Sequence, residues 1–157
     1  MPMFKSLFMS VATICAMPVD READEEKIAT IKSEVWPSLY RNQDVEGLGE
    51  FLAPSFVNLG PDGSAESREQ SLAWVASHEW NPENFTYSIE RFDWFSDDLV
   101  LVSGKGRSDR TDETGEPCRH EYFSSNLLRR TPETDLGWQA LNSHVSGIGC
   151  EPEDRDH

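Results

Sequence analysis

The chain has 157 residues, about the length of one domain, and its 37% hydrophobic and 10% aromatic content excludes a disordered chain. The 29 acidic against 14 basic side chains leave a net charge of -15. That excess repels phosphate backbones and anionic lipid, so nucleic acid binding and attachment to a membrane surface are set aside.

Met1 to Lys5 carries one positive charge, Ser6 to Met17 (SLFMSVATICAM) is apolar, and DREADEEK is abruptly acidic. This is the order of a secretory signal peptide, and the apolar run is too short to span a bilayer. Ala16 suits the end of a cleavage site, whereas Ile14 is large for the small-residue pattern. Residues 1–19 are thus read as a leader for export to a periplasm or the outside. The alternative is an apolar segment packed on the domain of a cytoplasmic protein. Removal of the leader would take Cys15 with it and leave an even pair, Cys118 and Cys150, as an oxidising compartment favours.

Glu22 to Arg41 has helical spacing, with Ile28, Ile31, Val35 and Leu39 as an apolar stripe. Glu25, Glu26, Lys32 and Glu34 fall off it. Pro37 should kink this helix or end it early, because it has no backbone N–H to donate. Asp44 is placed to cap a second, short helix carrying Val45, Leu48, Phe51 and Leu52, which Pro54 ends. Ser55 to Leu59 reads as a strand, followed by the dense turn signal Gly60-Pro61-Asp62-Gly63. Ser67 and Gln70 have capping-box spacing at the head of a third helix, with Leu72, Val75 and Trp74 facing inward.

The period changes from helical to two near Pro82. Phe85, Tyr87 and Ile89 alternate with polar residues, and Leu99 to Arg107 follows with Gly104 and Gly106 at a bend or bulge. Cys118 to Arg130 and Gly137 to Ile148 complete four successive strands with hairpin-length links. Helices followed by a meander define an α+β domain over residues 20–150: N-terminal helices packed on a strongly curved antiparallel sheet. Residues 151–157 (EPEDRDH) are an acidic tail.

The order of these segments carries a resemblance. An amphipathic helix leads to D-V-E-G-L, FLAPSFVNLGPDG and SREQSLAWV, then to LVLVSGKG, SSNLLRR and GWQALNSHVSG. This resembles the nuclear-transport-factor-2-like superfamily, in particular its small SnoaL-like proteins related to polyketide cyclases. The closing G-W-x-x-x-x-x-H-x-S-G also resembles the last strand of the calmodulin-dependent kinase II association domain. The resemblance spans roughly Glu22 to Cys150. It implies a cone-shaped sheet wrapped on helices, an apolar pocket and homodimers, but no single function, since isomerases, hydrolases, cyclases and association modules share the fold.

A simple hairpin at TPETDLG would set Trp138 opposite Arg130, Asn142 opposite Asn126, His144 opposite Ser124, and Cys150 opposite Cys118, where a disulfide is expected. One face then carries His120, Tyr122, Ser124, Asn126, Asn142, His144 and Ser146. If this face lines the pocket, His144 is the candidate acid or base, oriented by Asn142 or Asn126. If instead the face with Phe123, Leu127, Leu141 and Val145 packs on the helices, the polar face is exposed or lies in a dimer. Trp36, Tyr40, Phe56, Asn58, Trp74 and Trp80 are candidates for the other wall, or core.

The expected ligand is a small apolar or neutral organic molecule, and the acid excess disfavours a phosphate. There is no carboxylate isolated in an apolar run, as a family isomerase would use, and no G-x-S-x-G elbow. No spacing of Cys and His suggests a metal, and no cofactor motif is found. Three readings stand: a small-molecule pocket protein, a non-catalytic dimerisation module, and an isomerase, cyclase or hydrolase for a small organic substrate.

Overall fold

The computed structural model describes residues 19–151, so the leader, Cys15 and all but the first residue of the tail lie outside the described residues. The first helical segment is continuous from Arg21 to Arg41: α1 (Arg21–Thr30), a π-helical turn (Ile31–Val35) and α2 (Trp36–Arg41). Asp20 caps it, its carboxylate accepting the Ala23 N–H. Pro37 does not end the helix, which runs on to Arg41. The chain widens just before it into the π turn, where the Trp36 N–H reaches back to the Ile31 carbonyl, and the ring then sits in the first turn of α2.

Asp44 caps α3 (Val45–Phe51) by accepting the Gly47 N–H, and Ser67 and Gln70 form the expected capping box of α4 (Arg68–Ser77). On α4, Val75 is fully buried and Leu72 half-buried, whereas Trp74 remains 37% exposed. Lys32 is the larger departure. It is only 6% exposed, because it lies four residues after Ile28, on the same face of the helix, and is the second residue of the π turn. The buried face of the helix therefore reads Ile28, Ile31, Lys32, Val35, Trp36, Leu39, Tyr40, a full helical stripe with a lysine inside it.

The strands are β1 (Leu52–Leu59), β2 (Ala65–Ser67), β3 (Glu83–Ser96), β4 (Leu99–Thr111), β5 (Pro117–Arg130) and β6 (Trp138–Glu151). They form one six-stranded sheet in the order β2-β1-β6-β5-β4-β3. The meander β3 to β6 is antiparallel as expected. The sheet as a whole is mixed, not antiparallel, because β1 runs parallel to β6. The helix α4 between β2 and β3 carries the chain back across the sheet, so β3 starts in the direction of β2 and the remaining reversals leave β1 and β6 aligned. Pro54 lies where the β1–β6 register shifts, a position that needs no ladder N–H.

The β5–β6 register begins as expected, with Arg130 opposite Trp138, then shifts between Leu127 and Leu128. Beyond that bulge Asn126 faces Ser143, Ser125 faces His144 and Leu127 faces Asn142. A one-residue slip sends each later side chain of β6 to the other face. A further shift sets Cys150 opposite His120, yet Cys118 and Cys150 are still disulfide-bonded, diagonally, with their Cα atoms 5.4 Å apart.

The core sits between the helices and the concave face at one end of the cone. Trp138, Phe51, Ile28, Leu48, Val100 and Leu128 are each at most 1% exposed. Trp138 meets Trp94 edge-on at 5.9 Å, and the Arg130 guanidinium lies 4.6 Å above the Trp138 ring while pairing with Asp24. No helix among the described residues is long and apolar enough to cross a membrane.

Candidate functional site

At the other end of the cone the helices and sheet diverge and leave a cavity of about 390 Å³. Its helical wall is Lys32, Trp36, Pro37 and Tyr40 from the first helix, with Ser71 and Trp74 from α4. The sheet supplies Tyr87 from β3, Ser108 and Arg110 from β4, and His120, Tyr122, Ser124 and Asn126 from β5. Asn58, Glu66, Trp80, Phe85, Ser143 and Val145 complete the rim and sides.

Of the residues singled out in the sequence, Trp36, Tyr40, Asn58, Trp80, Tyr122 and Asn126 line this cavity. His144 and Asn142 do not. The bulge at Leu127 turns His144 to the convex face, where it is exposed, and Asn142 donates its side-chain amide to the Val57 carbonyl at 3.0 Å. Ser143 and Val145 take the places on the concave face that the simple hairpin assigned to Asn142 and His144. Trp36 also packs edge-on against Phe51 at 4.9 Å, so it belongs to the core and to the cavity wall at once.

Two glycines make room for the tyrosines. A Cβ on Gly106 would lie 2.2 Å from the Tyr122 ring, and one on Gly104 would meet the Tyr87 ring at 2.9–3.0 Å and the Ser88 carbonyl at 2.3 Å. The G-K-G of β4 is therefore the floor on which both rings lie, and the β3–β4 register shifts beside Gly104, where a bulge was expected.

Lys32 is the residue the sequence did not point to. Its Nζ donates to Asn126 Oδ1 at 2.5 Å and lies over the rings of Trp36 and Tyr87, 4.2 and 4.3 Å from their centroids. Among the described residues no carboxylate is within ion-pair distance of it; Lys105, by contrast, has Glu90 and Glu121 at 3.4 and 3.6 Å. Burial without a counter-charge disfavours the ammonium and pushes the Lys32 pKa down to about 7. The signal that could have found it is the unbroken stripe from Ile28 to Tyr40, in which a lysine fills a position the period assigns to the interior.

Asn126 ties the site together. Its Oδ1 also accepts the Ser124 hydroxyl at 3.4 Å, and Ser124 Oγ is 2.8 Å from Tyr87 Oη. Its Nδ2 is buried and has no hydrogen-bond partner among the described residues, and the same holds for Ser71 Oγ. Both residues line the cavity, but these two atoms have almost no accessible surface and are closed off from its space. Burial raises the pKa of Tyr40, Tyr122 and Tyr87, the last to about 12, so all three are neutral donors at ordinary pH. His120 is held below its usual value by burial and then by Arg110. Among the described residues Glu66 is the one carboxylate on the wall, and it accepts from Asn58 at 3.4 Å.

With Lys32 and His120 pushed towards their neutral forms by burial, the charged groups left on the wall are Arg110 and Glu66, one of each sign. The groups present can bind and polarise an acceptor oxygen and can move a proton. Among the described residues no cluster of His, Cys, Asp and Glu is arranged to hold a metal ion.

This architecture, a mixed curved sheet closed over helices with a cavity at the wide end, is the nuclear-transport-factor-2-like fold. A ketosteroid isomerase-like protein from Erwinia carotovora atroseptica superposes with a TM-score of 0.59 at 18% identity, over 81% of this chain and 96% of that one. An NTF2-like protein of unknown function in nutrient uptake from Rhodospirillum rubrum gives 0.60 at 18% identity, over 82% and 98%. The association domain of C. elegans CaMKII gives 0.62 at 14% identity, over 80% and 97%. No family model and no curated protein matches the chain. At these identities the likeness establishes the fold.

Proposed function

We propose that the chain is a small-molecule-binding protein whose cavity takes a largely apolar organic ligand carrying one acceptor oxygen. The observation that carries this reading is Lys32: an amine 6% exposed, held on Asn126 between two aromatic faces. A stabilising core position would be apolar, and a solvated lysine would be outside. The aromatic wall of Trp36, Tyr40, Trp80 and Phe85 supplies apolar area, while Lys32 and the Tyr122 hydroxyl supply the polar anchors. The oxygen is that of a ketone, aldehyde or carboxylate, since each offers lone pairs to two donors. The test is binding of aromatic ketones such as acetophenone, followed by tryptophan fluorescence. Affinity should fall roughly tenfold or more in Lys32→Met, because a hydrogen bond to such a group is worth about 1.5–3 kcal/mol. Absence of binding to wild type by every ketone and carboxylate tried at millimolar concentration would remove this reading.

A second reading concerns the convex face of the sheet. Val57 is 36% exposed there, and Leu101, Phe123 and Leu127 are half-buried on neighbouring strands. This supports a homodimer formed across that face, with His144 at its edge. Sedimentation equilibrium of wild type and Leu127→Lys tests it; an unchanged monomeric mass in both would end it.

A further inference from the structure

Of the lysines described, Lys27 is exposed and Lys105 is held by carboxylates, whereas Lys32 alone lies inside an organic-lined cavity with no counter-charge. An amine becomes a nucleophile only when its lone pair is free, and removing water and counter-charge from an ammonium favours the free base. The Asn126 Oδ1 accepts one N–H of that amine and fixes its position without neutralising it.

We infer that Lys32 forms an imine with a small aromatic aldehyde or ketone bound in the cavity. This rests on the reading that the cavity holds such a ligand, and adds that the contact is covalent and reversible. The Nζ lone pair attacks the carbonyl carbon, forming the C–N bond while the C=O π pair moves to oxygen. A proton passes from nitrogen to that oxygen and gives a carbinolamine. Protonation of its hydroxyl then lets water leave as the nitrogen lone pair closes the C=N bond, and the resulting iminium gives that proton back from nitrogen, so amine and carbonyl become imine and water with no oxidant or reductant. The Tyr87–Ser124 hydroxyl pair shares the Asn126 oxygen with Lys32 and is placed to carry these protons. The depressed Lys32 pKa is consistent with the free base being available near neutrality.

The full chain is incubated with benzaldehyde and sodium cyanoborohydride near neutral pH, then digested and mapped by mass spectrometry. Reduction converts the imine to a stable benzyl amine, so the expected result is a benzyl adduct on Lys32 at least tenfold in excess over Lys27 and Lys105. Benzyl alcohol, which cannot form an imine, serves as the binding control. If both compounds quench tryptophan fluorescence and Lys32 stays unmodified, or is modified no more than the other lysines, the imine is overturned and the binding reading survives. If neither compound binds, both fail together. The peptide map of wild type decides the matter, so the outcome does not depend on whether Lys32→Met folds.

Discussion

Lys32 and Asn126, 94 residues apart in the chain, meet at the wall of the cavity through a hydrogen bond from amine to amide oxygen. The first helix provides one and the fifth strand the other, so the pair exists only when helix and sheet are docked. Because the partner is an amide rather than a carboxylate, the contact holds the amine in place without compensating its charge.

The first consequence is a pH dependence of stability. Lys32 loses its proton near pH 7 when folded and near 10.5 when unfolded. Between those values the unfolded chain binds one proton more, so the free energy of unfolding rises with pH. Below the window both states are protonated and the folded chain carries the whole cost of burying the ammonium; above it none of that cost remains. Lys32 is faced by Tyr40, Tyr87, Tyr122, His120, Arg110 and Glu66, which are common to wild type and Lys32→Met. Their contributions therefore cancel in the difference. Relative to Lys32→Met, wild type should gain on the order of 3 kcal/mol between about pH 6 and pH 9.5 in urea titrations. A pH-independent difference would contradict the buried, unpaired amine.

Asn126→Asp should restore the charge. A carboxylate at hydrogen-bond distance favours the ammonium, raising the Lys32 pKa and removing the nucleophile at neutral pH. Reductive trapping of benzaldehyde on Lys32 should fall at least tenfold, with the far-ultraviolet circular dichroism unchanged. Equal trapping in a folded Asn126→Asp would show that the amide is not what keeps Lys32 reactive.

Gly106→Ala should disturb the cavity from beneath. The new Cβ would sit 2.2 Å from the Tyr122 ring, so the ring or the strand must move. Forced overpacking of this kind costs about 1–3 kcal/mol, read as a lower urea midpoint with an unchanged slope. A variant as stable as wild type, with ligand affinity intact, would show that the floor has slack.

The disulfide spans a sequence separation of 32 and clasps the end of β5 and β6 beside His120. Reduction, or Cys150→Ser, should lower stability by about 3–4 kcal/mol, as loop closure predicts for a ring of this size. Coincident denaturation curves with and without reductant would show that the bond is not formed in solution.

His144→Ala tests the reassignment of that residue. The side chain is exposed on the convex face, so stability should change by no more than about 0.5 kcal/mol and ligand binding not at all. A loss of binding in this variant would return His144 to the site.

Local chemistry in the chain settled most of the fold. Asp20, Asp44 and Ser67 cap the helices they precede, and the change of period near Pro82 marks where helices give way to strands. These signals depend on neighbours a few residues apart, so they can be read without coordinates. Trp36, Tyr40, Asn58, Tyr122 and Asn126 of the cavity wall each sit at an inward position of a helix or strand, whereas Trp80 lies in the link between α4 and β3.

Three features were decided by tertiary structure. Strand β1 pairs parallel with β6 because α4 carries the chain across the sheet, a fact about direction in space that no local pattern holds. The bulge at Leu127 places His144 outside and Ser143 and Val145 inside; since side chains alternate strictly along a strand, a single extra residue inverts every assignment after it. Lys32 falls off the stripe defined by apolar residue types, although its position on the helix favours the interior. Only the docking of helix on sheet brings Asn126, Trp36 and Tyr87 around its amine and makes burial of that nitrogen tolerable.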